Sequence, residues 1–167
     1  MAIAAPTEML NDHVIVVGYG RTGRAASRAL RAAEISVVVI EFNHSIFEDL
    51  SSAGFPGIWG DATRLEILHA ARVDHARILL LTFPDQALVH QTVQTARQAN
   101  PKLTVIARAN HQAHIAPLLE HGVDIAVQPE LEGAVEMVRQ AMNHCQHSPE
   151  ITEPLLASFR RDMYNAS

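Results

Sequence analysis

A glycine-rich loop and a later glutamate are the residues of this 167-residue chain whose types and spacing point to chemistry. The loop, Gly18 to Gly23 with the sequence GYGRTG, directly follows the apolar run His13–Val17. Glycines at this spacing let the backbone turn tightly and approach a phosphate at the N-terminus of the next helix. Glu41 closes the next apolar run, where a carboxylate can accept hydrogen bonds from both hydroxyls of a ribose and would repel a 2′-phosphate. The pair therefore predicts a site for NAD(H) or an adenine nucleotide such as AMP, although a strand-end acid can also be merely solvated.

Asp61 is a second acidic candidate because it follows the third predicted strand directly, in the segment Gly60-Asp-Ala-Thr63. At the carboxyl edge of a parallel sheet this segment would lie beside the first loop, so that Asp61 or its neighbouring N–H could contact an adenine base. The alternative is that Asp61 or Thr63 caps the next helix, since both residue types are good N-caps. Both roles can hold together.

Two arginines are candidates for contact with phosphate. Arg21 lies inside the glycine loop, and Arg108 ends the fifth predicted strand at the same edge of the sheet. A guanidinium is planar and suits bidentate contact with a pyrophosphate. For Arg108 the alternative is an ion pair with Glu130 or Asp85.

Apolar runs that alternate with helical patterns place these residues in one α/β domain. The predicted strands cover 13–18, 36–41, 57–59, 77–83, 103–108 and 124–128, and the predicted helices cover 22–33, 43–53, 63–71, 85–99, 111–121 and 130–145. Runs that are apolar throughout indicate strands buried on both faces, as in a parallel sheet covered by helices. The sequence thus predicts a single Rossmann-like domain over 13–145, with a doubly wound, six-stranded parallel sheet of order 3-2-1-4-5-6. Residues 1–12 are interpreted as a linker or disordered lead-in and 146–167 as a C-terminal tail, in which 154–164 could form one short helix.

Composition limits the kind of protein. No apolar run reaches the ~20 residues that span a bilayer, and the N-terminus lacks the pattern of a signal peptide. The single cysteine fits a reducing compartment, and a net charge of −5 without a basic run argues against nucleic acid as a partner. The only lysine, Lys102, follows Asn100-Pro101 in a predicted turn, which does not suit Schiff-base, Walker-type or Tyr-x-x-x-Lys chemistry. We therefore expect a cytoplasmic, soluble protein.

Histidine and cysteine supply no catalytic or metal site in this interpretation. His111 and His114 are three residues apart on a predicted helix, and His144 and His147 have the same spacing around Cys145. This spacing can put two imidazoles on one face, but no third and fourth ligand is evident nearby. Cys145 has no acid placed to orient a histidine partner. No catalytic residue and no metal ligand is predicted.

The last predicted helix, 130–145, carries apolar residues at helical spacing. These are Leu131, Ala134, Val135, Val138 and Met142. Ordinary packing against the sheet explains such a stripe. If the stripe is wider than one sheet face can cover, it would instead pair with a second copy of the chain.

Four segments together resemble the RCK/KTN (TrkA-N) nucleotide-binding domains, and in particular the C-terminal domains of Kef-type cation:proton antiporters. They are 13–23, the Val-Val-Val-Ile-Glu run that ends at Glu41, 60–63 and the Ile-Ala-Arg-Ala run 106–109, and the resemblance covers about 12–143. It implies a cytoplasmic regulatory domain, at the inner face of the membrane, that binds NAD(H) or an adenine nucleotide. It also implies a membrane-embedded potassium or cation transporter as partner, and a homodimer through the helix 130–145.

The resemblance also implies roles by position. The three loop glycines would face phosphate, with Arg21 and Thr22 beside it, while Glu41 would hold the ribose and Asp61 and Ala62 would meet the adenine. The full set of predicted cofactor-binding residues is Gly18, Tyr19, Gly20, Arg21, Thr22, Gly23, Glu41, Asn43, Asp61, Ala62 and Arg108.

Two other functions remain open at this stage. A small NAD-dependent oxidoreductase needs an acid/base group poised over the nicotinamide, yet the histidines nearest that edge, His90 and His111, lie on helix bodies or starts, and the chain leaves no room for a substrate domain. A purely structural interaction module with a vestigial site is the third interpretation. Binding of a nucleotide without catalysis is the function that we expect.

Overall fold

A seven-stranded sheet flanked by helices forms the fold in the computed structural model, which describes residues 2–3, 7 and 9–165. The strands are β1 (Ala2–Ile3), β2 (His13–Val17), β3 (Val37–Glu41), β4 (Gly57–Trp59), β5 (Ala76–Leu81), β6 (Thr104–Arg108) and β7 (Ile125–Val127). The helices are α1 (Arg21–Ala32), α2 (His44–Ser52), α3 (Leu65–Ala70), α4 (Gln86–Ala99), α5 (Ile115–Glu120), α6 (Pro129–His144) and α7 (Pro149–Asn165). Short 3₁₀ turns cover Val73–His75 and Gln112–His114.

The strand order confirms the predicted doubly wound sheet. Across the sheet the order is β1-β4-β3-β2-β5-β6-β7, and all neighbouring strands among the six from β2 to β7 pair in parallel. Counted from β2, the six parallel strands therefore follow the order 3-2-1-4-5-6. This order reverses direction at β2, which places the loop after β2 at the crevice where such sheets bind ligands.

Two apolar layers bury the central strands. All five residues of β2 and all five of β3 are buried. Because successive side chains of a strand point to opposite faces, Ile15 packs in one cluster with residues of α3 and α4, and Val14 and Val16 pack in the other with Phe47 of α2. Burial on both faces explains why these runs contain almost only β-branched apolar residues.

Both ends of the chain hold more structure than the sequence pattern indicates. In the predicted lead-in, Ala2–Ile3 forms β1, which pairs antiparallel with β4, and the buried Thr7 donates its hydroxyl hydrogen to the Ala70 carbonyl at 2.9 Å. In the predicted tail, α7 begins at Pro149, five residues before the predicted helix. Ser148-Pro149-Glu150 is a regular helix start, with proline at the first helical position. The prediction placed Pro154 at the first turn of this helix, but it lies within α7.

Two predicted helices are shorter than expected. The helix predicted over 63–71 begins at Leu65, because the Asp61 carboxylate accepts hydrogen bonds from the Thr63 N–H and hydroxyl and holds that segment in a turn. Neither Asp61 nor Thr63 is the N-cap, which is Arg64. The helix predicted over 111–121 divides into a 3₁₀ turn and α5. In contrast, α4 has nearly the predicted bounds, and Asp85 caps it through a hydrogen bond from the Leu88 N–H at 3.0 Å.

His13 links β2 to the end of α3 and should make the fold sensitive to acid. Its imidazole is fully buried, and Nε2 donates to the Ala71 carbonyl at 2.9 Å. Burial lowers the pKa of His13 below its ordinary value of 6.5. The unfolded chain therefore takes up a proton at higher pH than the folded chain does, and folding stability is lost as the pH falls below 6.5.

Replacing His13 by glutamine, whose amide can still donate a hydrogen bond, is expected to flatten this dependence. Each pH unit below 6.5 costs the wild type up to about 1.4 kcal/mol through this one group. Urea unfolding at pH 8.0 and pH 5.5 measures the difference, with His147→Gln on the exposed surface as the matched control. An unchanged pH dependence in His13→Gln would contradict the assignment.

The described part of the chain contains no helix long and apolar enough to cross a membrane.

Candidate functional site

Four strands end at one edge of the sheet around a single cavity. Strands β2, β3, β4 and β5 deliver the residues that follow them to its rim, and its volume is about 370 Å³, within the usual range for small-molecule sites. The lining residues are Val17, Gly18, Ile40, Glu41, Phe42, Gly60, Asp61, Ala62, Thr63, Phe83, Asp85, Leu88 and Thr92. The cavity is thus mostly apolar, with two strand-end carboxylates, those of Glu41 and Asp61, at its carboxyl edge.

The three glycines of the loop serve different physical needs. Gly18 has φ +93°, a conformation that side chains disfavour. At Gly23 a Cβ atom would lie 1.9 Å from the Gly18 carbonyl oxygen, so glycine lets α1 pack against the strand-to-loop turn. Gly20 has an ordinary φ of −70°, and a Cβ there would meet nothing within 4 Å. Its missing side chain leaves open space at the rim of a second cavity, of about 250 Å³.

The N-terminus of α1 faces this second cavity and is electropositive. The first hydrogen bond of the helix runs from the Arg24 N–H to the Gly20 carbonyl, which leaves the preceding amides without a partner in the helix. No side chain caps this end and the first turn holds no acidic residue, whereas Arg21 adds a positive charge. A positive charge at the positive end of the helix dipole is unfavourable without an anion nearby. This end of α1 can therefore bind a phosphate.

Glu41 is held in place by the backbone on both sides. Its Oε2 accepts a hydrogen bond from the Tyr19 N–H and its Oε1 accepts one from the Asn43 N–H, each at 2.7 Å. The residue is only 7% exposed, and its exposed part lies on the cavity. Each carboxylate oxygen has a second lone pair, so Glu41 can accept further hydrogen bonds from ligand hydroxyls while it fixes the loop.

An aromatic residue stands at the mouth of the main cavity beside Asp61. Phe42 is 74% exposed, which is unusual for a phenyl ring, and its carbonyl accepts a hydrogen bond from Trp59 Nε1 at 2.9 Å. On the other side, the Asp61 carboxylate is oriented by Thr63, and Ala62 is buried at the cavity wall. An exposed ring and a fixed carboxylate in one cavity suit a planar heterocycle, because the ring offers stacking and the carboxylate accepts hydrogen bonds from N–H donors.

Arg21, Thr22 and Arg108 meet on the opposite side of the loop. All three line the second cavity together with Gly20, and all three also line a third depression with Glu130. Arg108 is 22% exposed and forms an ion pair with Glu130, at 3.2 Å from Nη2 to Oε1. The ion pair that the sequence left as an alternative is therefore present, while contact of Arg108 with phosphate stays a prediction.

Two predicted binding residues do not point their side chains into the site. The Tyr19 ring is buried, packs edge-on against Phe55 at 5.8 Å and lies under the Arg24 guanidinium at 5.1 Å. The Asn43 side chain caps α2 by accepting from the Ile46 N–H at 3.2 Å. The side chain of Tyr19 is thus committed to packing and that of Asn43 to capping, and contact of these two residues with a ligand stays a prediction.

Other residues that line the two cavities were not predicted from the sequence. Thr82, directly after β5, donates its hydroxyl hydrogen to the Val17 carbonyl at 2.9 Å and so ties the glycine loop to its neighbouring strand. Phe83 lines both cavities, and Leu88 of α4 closes the main one. The one available signal was position: residues that follow neighbouring parallel strands share an edge. Among the described residues, no group of three or more His, Cys, Asp or Glu side chains could hold a metal ion.

Comparison with proteins of known sequence finds related transport proteins. The chain is 34% identical over 133 residues to the putative cation/proton antiporter YbaL of Escherichia coli, which covers 80% of this chain and 24% of that protein. It is 33% identical over 129 residues to the glutathione-regulated potassium-efflux system protein KefC of Salmonella paratyphi B, which covers 77% of this chain and 21% of KefC. The chain thus spans less than a quarter of the length of these relatives.

Solved structures share the fold. The TrkA-N domain of the inner membrane protein YbaL from Escherichia coli superposes with a TM-score of 0.73 at 32% identity, covering 79% of this chain and 98% of that domain. The AMP-bound Kef C-terminal domain of Shewanella denitrificans gives 0.77 at 24% identity, covering 91% and 95%. The GsuK channel bound to NAD gives 0.66 at 22% identity, covering 72% and 22%. The family model of the TrkA-N domain matches residues 14–129, so the chain belongs to the TrkA-N domain family.

Proposed function

We propose that this chain is a cytoplasmic regulatory domain that binds an adenine nucleotide and thereby controls the flux of potassium or another monovalent cation through a membrane transporter. The domain binds its ligand and catalyses no reaction on it. The observation that carries the proposal is the uncapped, electropositive N-terminus of α1 beside the fixed carboxylate of Glu41. One end of this arrangement suits phosphate and the other suits ribose hydroxyls.

The geometry supports NAD(H) or AMP as the ligand class. The adenosine would occupy the main cavity, with the base between Phe42 and Asp61 and the ribose on Glu41. The phosphate would lie over Gly20 at the N-terminus of α1. Glu41 disfavours a 2′-phosphate because two negative charges would meet in a buried place. The related structures named for bound AMP and bound NAD agree with this ligand class.

The names of the relatives support a membrane-embedded transporter subunit or domain as the partner. The domain is proposed to lie at the inner face of the membrane when it is attached to this partner. A nucleotide can regulate such a partner only if it binds more tightly to one of two states of the assembly. Because the loop 18–23 and the ends of three strands meet at the ligand, ordering them is the change that a nucleotide would produce first.

A second copy of the chain is proposed to pair through α6. Buried Leu131 and Val135 turn one face of this helix toward its own domain, whereas Met137 is 75% exposed and Val138 is also largely exposed. The exposed residues Ile151, Leu155 and Phe159 continue an apolar surface onto α7, four residues apart along one helix face. Such a surface is typical of a protein interface.

Thermal unfolding of the purified chain with AMP, ADP, NAD⁺, NADH and NADP⁺ tests the proposal. A ligand at a hundred times its Kd should stabilise the fold by about 2.7 kcal/mol, and NADP⁺ should stabilise it least. Light scattering on the same samples should give twice the chain mass of 18.3 kDa. If none of the five compounds raises the unfolding midpoint, the proposed ligand class is wrong. If light scattering gives the mass of a monomer, the proposed dimer is wrong.

A further inference from the structure

Arg108 lies between two cavities and takes part in both. On one side it lines the cavity with Gly18, Gly20 and Glu41, where the proposed phosphate would lie. On the other side it lines a depression of about 380 Å³ with the first turn of α6, where it forms its ion pair with Glu130. The guanidinium carries several donors in a fixed plane, and its Nε is buried without a hydrogen-bond partner. Arg108 is thus within reach of a ligand phosphate while it is paired with a carboxylate.

Glu130 is the carboxylate of the depression on the α6 side of Arg108. Of the five described residues that line the depression, Arg21 and Arg108 are positive and Glu130 is negative. Arg21 and Thr22 are also the first residues of α1, where the helix dipole favours an anion. The Glu130 side chain is 60% exposed, so packing against the protein does not fix it in this position. The carboxylate therefore takes part of the role that a phosphate would have.

We propose that Glu130 is an internal counter-ion of the phosphate site, which competes with the nucleotide phosphate for Arg108 and lowers nucleotide affinity. The inference rests on the proposed function, since it concerns the same ligand. A phosphate over Gly20 adds a second anion close to Glu130, and the two anions repel each other. Arg108 then donates to the phosphate at the expense of the ion pair.

The competition couples the ligand to α6. Glu130 belongs to the first turn of α6, the helix that also carries the exposed apolar face. When a phosphate takes Arg108, this turn loses its ion pair with the end of β6. A partner that pulls the first turn of α6 away from β6 should therefore raise nucleotide affinity. By thermodynamic reciprocity, the nucleotide should raise the affinity for that partner by the same factor.

Isothermal titration of AMP at low ionic strength into Glu130→Gln and into the wild type tests the inference. The variant keeps the size of the side chain and removes its charge. We expect AMP to bind about twofold to fivefold more tightly, as befits one half-exposed ion pair. Adenosine, which lacks the phosphate, should bind both proteins equally. The control Glu48→Gln removes an equally exposed carboxylate from α2, remote from Arg108, and should leave AMP affinity unchanged.

A second comparison tests whether Glu130 acts through Arg108. In an Arg108→Ala background, Glu130→Gln should change AMP affinity no more than Glu48→Gln does. An unchanged affinity of Glu130→Gln in the otherwise wild-type chain would overturn the inference. Weaker binding would also overturn it, since Glu130 would then position Arg108 for the phosphate. If the wild type itself binds no AMP, the proposed function fails too, so the two failures are distinct.

Discussion

Replacing Gly23 by alanine is expected to cost the fold more stability than any other single substitution in the loop. The new Cβ would lie 1.9 Å from the carbonyl oxygen of Gly18 and 2.9 Å from its carbonyl carbon. Both are backbone atoms, so relief requires α1 to move away from the end of β2. Since total stabilities are about 5–15 kcal/mol, a loss of more than about 4 kcal/mol, which is typical of severe steric conflict, would remove a large part of the stability of the fold and lower its melting temperature strongly.

Gly20→Ala is the matched variant, with the same added methyl group three residues away. Its Cβ would meet nothing within 4 Å, and its φ of −70° suits any residue. The unfolding free energy should therefore change by no more than about 1 kcal/mol, because the gain from restricting the unfolded chain is offset by the preference for glycine over alanine at the N-cap of α1. The methyl group would stand where the phosphate approaches, so AMP binding should fall at least tenfold.

Circular dichroism melts and AMP titrations of both variants separate the two roles. Gly23→Ala should have a much lower melting temperature than the wild type. Gly20→Ala should keep its melting temperature and lose only AMP affinity. A wild-type melting temperature for Gly23→Ala would contradict the close approach of α1 to the loop. Wild-type AMP affinity for Gly20→Ala would contradict the position of the phosphate.

Removing the Glu41 carboxylate has the second largest expected effect, because it acts on the fold and on the ligand together. Glu41→Ala leaves the buried N–H of Tyr19 and the part-buried N–H of Asn43 without their acceptor. Each unsatisfied donor costs about 1–3 kcal/mol, so we expect a loss of roughly 2–5 kcal/mol in urea unfolding. Nucleotide binding should be lost as well, since the loop and the ribose contact fail together.

Glu41→Gln separates the two effects. The glutamine oxygen can still accept from one N–H, while its NH₂ group opposes the other, so the loss of stability should be about half of that in Glu41→Ala. At temperatures where Glu41→Gln is folded, its preference for NAD⁺ over NADP⁺ should shrink because the repulsive charge is gone. If the folded variant discriminates between the two as strongly as the wild type does, Glu41 serves the loop alone.

The sequence was sufficient to predict the parallel strands of the sheet, because their composition distinguishes them from the rest of the chain. Runs such as Val14–Val17 and Val37–Ile40 contain only residues that suit a strand buried on both faces, and the glycine spacing marks the turn that follows. The parallel order then follows from short strand–helix repeats. The edge of the sheet, and hence the positions of Glu41, Asp61 and Arg108, could be predicted with it.

The roles of side chains in the loops could not be predicted in this way. Tyr19 lies inside the glycine loop, and only the three-dimensional turn directs its ring down against Phe55 instead of toward the cavity. The link from Thr82 to Val17 joins residues 65 positions apart, and no local pattern encodes it. The second duty of Glu41, as an acceptor for two backbone N–H groups, likewise depends on how the folded loop aims those groups.

The ends of the chain show the same limit for secondary structure. Strand β1 has two residues and is formed by its pairing with β4. The strand propensity of two residues is too little to predict it. Helix α7 has a recognisable start at Ser148-Pro149, but the sequence pattern led us to begin the helix at Pro154. It is held to α6 by ion pairs between distant residues, such as that of Arg160 with Glu132 at 2.7 Å.

The short strands at the two edges of the sheet also limit how copies of this domain can associate. The edges are β1, with two residues, and β7, with three. Very short edge strands offer few unpaired backbone groups to another chain, which protects a protein against edge-to-edge aggregation and strand exchange. A second copy of the kind proposed would therefore meet a helix surface, where contacts between side chains, and not backbone hydrogen bonds, determine which partner binds.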